Sequence, residues 1–275
     1  MVLLAVAVLL VVLWPFAHYQ NNHIVVSEFD ISHDKVDSLR IVQLSDLHGK
    51  QFGKDNEELF EKVVELEPDL IVATGDMVSR SDKNLIEVVD FLAALNERAP
   101  AIYVFGNHEY GLHSFEGFRQ KLQERDIIVL ENEIYSLNIN GNTVNILGFE
   151  GRTQRVTNAS RMSTGYVSRL FSELGKRSGL KIVLSHHPGN YALADDNSFN
   201  QYDFDLMFSG HAHGGQWNLP FVGGVFTPSE GFMPQYYRGF YDDRLIVSAG
   251  LGNSRIPLRL FNYPEIVVVN VSMSY

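Results

Sequence analysis

The sequence predicts an α/β fold with mixed sheets, and three observations carry the prediction. Short apolar runs recur along the chain and alternate with segments of helical, amphipathic period. An Asn-Gly pair between two alternating runs marks a hairpin among them. Hydrophobic residues make up 45% of 275 and charged residues 20%, enough material for a core of one large α/β domain or two small ones. No internal repeat or low-complexity segment interrupts the pattern.

Val2–Ala17 opens the chain with sixteen residues and no charge, a little short of the roughly 20 that a spanning helix needs. The run is not amphipathic, as a core helix would be. It lacks the positive n-region and small-residue cleavage site of a signal peptide, and Trp14 suits a membrane interface. Residues 1–20 therefore read as an uncleaved, single-pass anchor in the cell membrane, with the extracytoplasmic face favoured for the remainder. Residues 21–275 read as one unit after a polar linker, His18–His23. His23–Ile31 alternates in part, as an edge or half-buried strand does. Five runs, 40–45, 69–74, 101–106, 181–185 and 205–210, are short and apolar, the pattern of strands covered on both faces.

Helices belong between them. Residues 56–67 put Leu59, Val63 and Val64 on one face, residues 84–97 do the same with Ile86, Val89, Leu92 and Leu95, and 168–176 is a third candidate. Asn140–Gly141 turns the hairpin within 134–149. From Asn218 the chain is rich in Gly, Pro and aromatics, and strands at 244–250 and 265–272 complete it.

Composition narrows the chemistry. A net charge of −11 without a Lys/Arg cluster argues against nucleic-acid binding. Zero cysteines exclude a thiolate zinc site and a cysteine nucleophile. An acidic chain can still act on a phosphate compound where metal ions supply the positive charge.

The five buried runs end alike: in Asp46 and His48, in Asp76, in Asn107 and His108, in His186 and His187, and in His211 and His213. Each taken singly has a plain reading as a turn residue, a cap or a satisfied core histidine. All five together point to one shared metal site at the carboxyl ends of the strands. Oxygen and imidazole donors without sulfur suit Mn²⁺, Fe or Zn²⁺. The seven donors Asp46, His48, Asp76, Asn107, His186, His211 and His213 are too many for one tetrahedral ion and match two ions sharing a carboxylate. Paired ions clamp the attacking and leaving oxygens of an in-line displacement and make hydroxide available near neutral pH.

In order and spelling, D-x-H, GD, GNH(E), a histidine closing an apolar strand and GHxH resemble the calcineurin-like metallophosphoesterase superfamily, from about Ile41 to the C-terminus. "GHAHGGQW" and "SAGLGNSRIPLRLFNYPEIVVV", with the apolar N-terminus, are similar to its membrane-associated bacterial branch of phosphodiesterases and UDP-2,3-diacylglucosamine pyrophosphatases. The resemblance implies a four-layer α/β/β/α sandwich with two divalent ions, Mn²⁺ foremost and Fe or Zn²⁺ next, between the sheets. It implies that Asp46, His48 and His213 hold one ion, that Asp76 bridges, and that Asn107, His186 and His211 complete the other. It makes His108 the catalytic residue, steadying a non-bridging oxygen or protonating the leaving group, and sets His187 behind the ligands or facing the substrate. Ser79 and Arg80 stand where many relatives carry a further acid, and Ala212 where threonine is frequent; neither removes a ligand.

The activity so implied is hydrolysis of a phosphodiester or pyrophosphate bond on a small or lipid-linked phosphoester, or a nucleotide-like one. A phosphomonoesterase or phosphoprotein phosphatase is the alternative, disfavoured by the absence of long basic inserts. A non-catalytic metal-binding module is a remote one, since every ligand position is filled. Eight aromatics in Trp217–Tyr241 read as a partly apolar lid or groove, with half or more packed on the sheets. Arg152, Arg155, Arg161 and Arg238 are candidates for outer phosphate contacts.

Overall fold

Twelve strands form two six-stranded sheets, and the five apolar runs lie inside them. The structure is a computed structural model that describes residues 14–82, 85–151, 164–193, 198–228, 230–253 and 258–273. In chain order it has helix α1 (14–22), β1 (Val25–His33), β2 (Ser38–Leu44), α2 (Glu57–Glu65), β3 (Leu70–Ala73), α3 (Leu85–Asn96) and β4 (Ala101–Tyr103). Then come α4 (Phe115–Gln123), β5 (Ile128–Val129), β6 (Glu133–Ile139), β7 (Asn142–Gly148), α5 (Thr164–Gly175), β8 (Leu180–Leu184) and β9 (Leu206–Ser209). Four two-residue strands, β10 (Asn218–Leu219), β11 (Gly223–Gly224), β12 (Phe226–Thr227) and β13 (Gly231–Phe232), make two small hairpins. Strands β14 (Gly239–Tyr241), β15 (Leu245–Val247) and β16 (Glu265–Met273) follow.

The first sheet runs β1-β16-β2-β3-β4-β5 and the second β14-β15-β9-β8-β7-β6. Both are mixed: β2 through β5 are parallel while β16 is antiparallel to β2, and β7, β8, β9 and β15 are parallel with antiparallel edges. Alternate side chains of the central strands serve two cores, which is why their runs are mostly apolar, with the buried Gln43 of β2 and Lys181 of β8 among the few polar positions. Leu70 and Val72 of β3 face the layer between the sheets, with Ile182 and Phe208 opposite. Ile71 and Ala73 face outward against α2, α3 and α4 through Leu59, Val89 and Phe118. On the far side, Val183 and Met207 meet α5 through Val167, Phe171 and Leu174. The result is the expected four-layer α/β/β/α arrangement.

The expected Asn140–Gly141 hairpin is present between β6 and β7, while other expectations need adjustment. Asn140 and Gly141 have φ of 51° and 86°, the double positive φ of a two-residue hairpin turn. Helix α5 starts at residue 164 instead of 168. Helix α4 was not anticipated, because its buried face is only Phe118 and Leu122 and Gly117 lies within its first turn. The polar linker at 18–23 is mostly helix α1, docked on the C-terminal tail: Gln20 is buried and donates to the Tyr263 hydroxyl at 2.6 Å, and the Tyr19 and His23 rings stand edge-on to Tyr263.

Residues 1–13 of the apolar N-terminal run lie outside the described residues. Among the described residues no helix is long and apolar enough to cross a membrane. That finding overturns the expected single-pass anchor and the cell-membrane location drawn from it.

Candidate metal centre

The loops that leave β2, β3, β4, β8 and β9 meet at one place. Gln43 ties the sheets there, its side-chain amide donating to Thr74 Oγ1 and to the Ser209 carbonyl, both at 2.8 Å. Asp46 N–H bonds the Gly75 carbonyl, His48 N–H the Asp76 carbonyl, and Gly210 N–H the His186 carbonyl. Asp46, His48, Asp76, His211 and His213 all have φ between 47° and 66°. Non-glycine residues rarely adopt that region, and strain of this kind concentrates where a site dictates geometry. Gly106 and Gly210 have no room for a Cβ: one would strike Asp76, the other Ser45 and Asp46.

Two groups of donors result. In the first, His48 Nε2 and His213 Nε2 are 3.1 Å apart, and Asp46 Oδ1 lies 3.5 Å from His213 Nε2 and 3.9 Å from His48 Nε2. In the second, His186 Nε2 is 3.1 Å from His211 Nδ1 and 3.3 Å from Asp76 Oδ2. The same Asp76 oxygen is 3.9 Å from His48 Nε2, so Asp76 stands between the groups. Asn107 Oδ1 and His213 Nδ1 are buried with no hydrogen-bond partner. His186 Nδ1 faces the Thr74 carbonyl at 2.8 Å, which fixes the proton there and leaves Nε2 as the lone-pair nitrogen of the neutral ring.

These observations test whether a metal pair fits. A buried amide oxygen without a hydrogen-bond partner, imidazole nitrogens gathered to 3.1 Å of one another, and two carboxylates buried beside them form a donor set that fits cations. Nitrogen and oxygen donors on both sides of one carboxylate suit a divalent, dinuclear site.

Electrostatics agree. Burial, with the Asp76 charge behind it, raises the Asp46 carboxyl to about 6 against the pull of His186, the Ser45 hydroxyl and the His211 N–H. Burial would raise Asp76 too, but His186 beside it outweighs this and holds it well below the usual carboxylate range. Burial lowers the His186 ring, and the Asp76 and Asp46 carboxylates reverse this, pushing it up to about 10. Burial takes His48 down to about 4 and His211 and His213 well below the ordinary histidine value. All three are neutral, the form in which imidazole binds a metal.

His108 sits at the rim, half-buried. Its N–H bonds Asp76 Oδ1 at 2.7 Å, its ring meets His48 edge-on at 4.5 Å, and its Nδ1 accepts the Arg80 N–H at 3.4 Å. Its imidazole is lowered, first by burial. His187, which the sequence set apart from the ligands, has its ring 4.2 Å from His211 and falls in one group with His186 and His211. Its Nε2 faces the Gly151 carbonyl at 3.2 Å and its Nδ1 is buried without a partner.

Sequence reasoning missed Glu109. This carboxylate is fully buried and accepts from the N–H groups of Asp76 (2.9 Å), Gly106 (2.8 Å) and Val78 (3.3 Å) and from the Tyr103 hydroxyl (2.6 Å). Burial and the nearby Asp76 charge push it up to about 7. The one available signal was an acid next to the strand-end His108.

The aromatic segment after His213 divides. Tyr236, Tyr237 and Tyr241 pack on the outer core of the second sheet and Phe240 on the inter-sheet core, while Phe221 and Phe232 are exposed. Arg238 is committed to Glu265 at 2.8 Å and to Ser27, which argues against a role on phosphate. Arg152, Arg155 and Arg161 lie outside the described residues.

Comparison with known proteins completes the picture. Residues 39–215 match the sequence profile described as calcineurin-like phosphoesterase. An uncharacterized metallophosphoesterase of Bacillus subtilis (strain 168), YkuE, is 30% identical over 272 residues, covering 93% of this chain and 88% of its own. Another, from Aquifex aeolicus, is 32% identical over 279 residues, covering 95% and 97%. LpxG of Chlamydia muridarum, named a UDP-2,3-diacylglucosamine pyrophosphatase, is 26% identical over 320 residues, covering 94% and 93%.

Proposed function

The chain belongs to the calcineurin-like phosphoesterase family and is a metal-dependent phosphoesterase, and from this premise we propose that it cleaves a phosphodiester or pyrophosphate bond by in-line attack of water. Asp46, His48 and His213 would hold one divalent ion, Asn107, His186 and His211 the other, and Asp76 would touch both. Mn²⁺ is the first candidate, ahead of Fe and Zn²⁺. When bound, such a pair supplies Lewis acidity and brings the pKa of water toward neutrality.

The observation that carries the reading is the position of Asp76 Oδ2 between His186 and His48, with the unpartnered Asn107 Oδ1 beside it in sequence to the His108 that anchors Asp76. His108 is the proton carrier at the rim: Nδ1 accepts from backbone, so the neutral ring bears its proton on Nε2, available to a phosphoryl oxygen or a leaving group. Ser45 and the His211 N–H orient the Asp46 carboxylate from behind at 2.6–3.1 Å. Exposed Phe221 and Phe232 and the substrate named for LpxG support a lipid-linked or nucleotide-like phosphoester.

Assay of the Mn²⁺-loaded protein on bis(p-nitrophenyl) phosphate and on p-nitrophenyl phosphate tests this. Faster turnover of the diester, lost in chelator, is expected. Activity indifferent to chelation overturns the mechanism, and a preference for the monoester overturns the bond assignment.

A further inference from the structure

A second layer lies beneath Asp46, built on a buried cation. Arg259 is 1% exposed. Its guanidinium is spread over backbone oxygens: Nη2 donates to the carbonyls of Ala249 (3.0 Å), Gly250 (3.1 Å) and Gly252, Nη1 to that of Tyr263 (3.2 Å), and Nε to Asn253 Oδ1 (3.3 Å). Three of these carbonyls belong to the turn 249–252 that follows β15.

That turn lies directly on Asp46. Leu251 N–H bonds the Ser45 carbonyl at 3.0 Å and Gly252 N–H the Asp46 carbonyl at 2.6 Å. Gly250 has φ 71°, and a Cβ there would stand 2.7 Å from Asp46 Cβ. From the opposite side Glu265 accepts the Ala249 N–H at 2.7 Å. The turn is thus clamped between a buried guanidinium and a buried carboxylate, with Asp46 under it in its strained φ of 52°.

We propose that Arg259 is a positioning residue for the Asp46–His48–His213 half of the metal centre: gathering the 249, 250 and 252 carbonyls onto one guanidinium presses the turn onto Asp46 and fixes the direction of its carboxylate. The inference rests on the two-ion reading above. It explains why an arginine stands here, since only its rigid five-donor fork serves several carbonyls at once, whereas a lysine carries the same charge as a single point.

Mn²⁺ binding to the full chain tests it, by equilibrium dialysis and by electron paramagnetic resonance, which separates spin-coupled pairs from isolated ions. Wild-type protein is measured first; if it binds no coupled Mn²⁺ pair, the two-ion reading itself fails. Given the pair, Arg259→Met and Arg259→Lys are each expected to weaken one ion about 10- to 100-fold, the scale for losing a residue that orients a ligand. The other ion stays near wild type and the spectrum becomes that of isolated Mn²⁺. Wild-type binding in Arg259→Lys with tighter binding in Arg259→Met would overturn the proposal, because charge and not orientation would then be the effect. Equal weakening of both ions, or loss of the folded circular-dichroism spectrum in Arg259→Lys, would overturn it too, the role then being to hold the fold.

Discussion

Glu109 shows how one side chain governs a site it does not join. Its two oxygens collect three backbone N–H groups from the loops after β3 and β4 and the Tyr103 hydroxyl, all away from water. Without it those donors are buried and unpaired, a loss of about 1–3 kcal/mol for each group left unsatisfied. Burial and the Asp76 charge push its carboxyl up to about 7, yet its three backbone partners are N–H donors that need acceptor oxygens. Glu109→Gln keeps one acceptor oxygen but turns an NH2 toward backbone N–H donors, so it is expected to lose about 1–3 kcal/mol. Glu109→Ala, which leaves all the donors unpaired, is expected to lose more in urea unfolding. Turnover should fall with Glu109→Ala even in molecules that remain folded, because Asp76 loses the bond to its own N–H. Equal stability of the two variants would show that the acceptor oxygens are not what matters.

At the level of the element, the informative feature is the junction where a parallel strand gives way to a loop. The apolar runs that become β2, β3, β4, β8 and β9 were legible because both faces of each are largely buried and few polar residues, Gln43 and Lys181 among them, interrupt them. The donors were legible because each follows its run within a few residues, so the chemistry is written locally. Helix α4 was not, since two buried side chains make too thin a stripe to stand out. Arg259 was not either: its partners are turn carbonyls, and what those turn peptides hold is some two hundred residues earlier in the chain. Gly210, at the exit of β9, puts the junction to the test. The three atoms nearest a Cβ there are Ser45 Oγ, Asp46 Oδ2 and Ser45 Cβ, at 1.9, 2.4 and 3.1 Å. Gly210→Ala is expected to leave thermal stability within a few degrees of wild type and to cut kcat by roughly 10²-fold or more, the scale of displacing a preorganised electrostatic group. A variant with wild-type kcat would mean that the Asp46 carboxylate does not need this position.

Across the whole molecule, the proposed centre joins the two sheets, because Asp46, His48, Asp76 and Asn107 come from the first and His186, His211 and His213 from the second. An ion pair held by both sheets binds only the assembled fold, so Mn²⁺ at 100 times its dissociation constant should stabilise the protein by about 2.7 kcal/mol per site. For a chain of this size that raises Tm by about 5–10 °C for each site filled. The effect carries a pH signature. His186, raised from its usual range to about 10 by Asp76 and Asp46, stabilises the metal-free fold as a cation. That contribution is complete below about pH 6.5 and fades as pH rises through about 10. The ring must give up its proton for Nε2 to become a donor, and below about pH 6 protonation of Asp46 opposes binding as well. The Mn²⁺-induced rise in Tm should therefore grow from pH 6 to pH 9, with proton release on binding visible calorimetrically in buffers of different ionisation enthalpy. A rise that is constant with pH, or greatest in acid, would mean that His186 and Asp46 do not hold the ions, whatever the enzyme's activity.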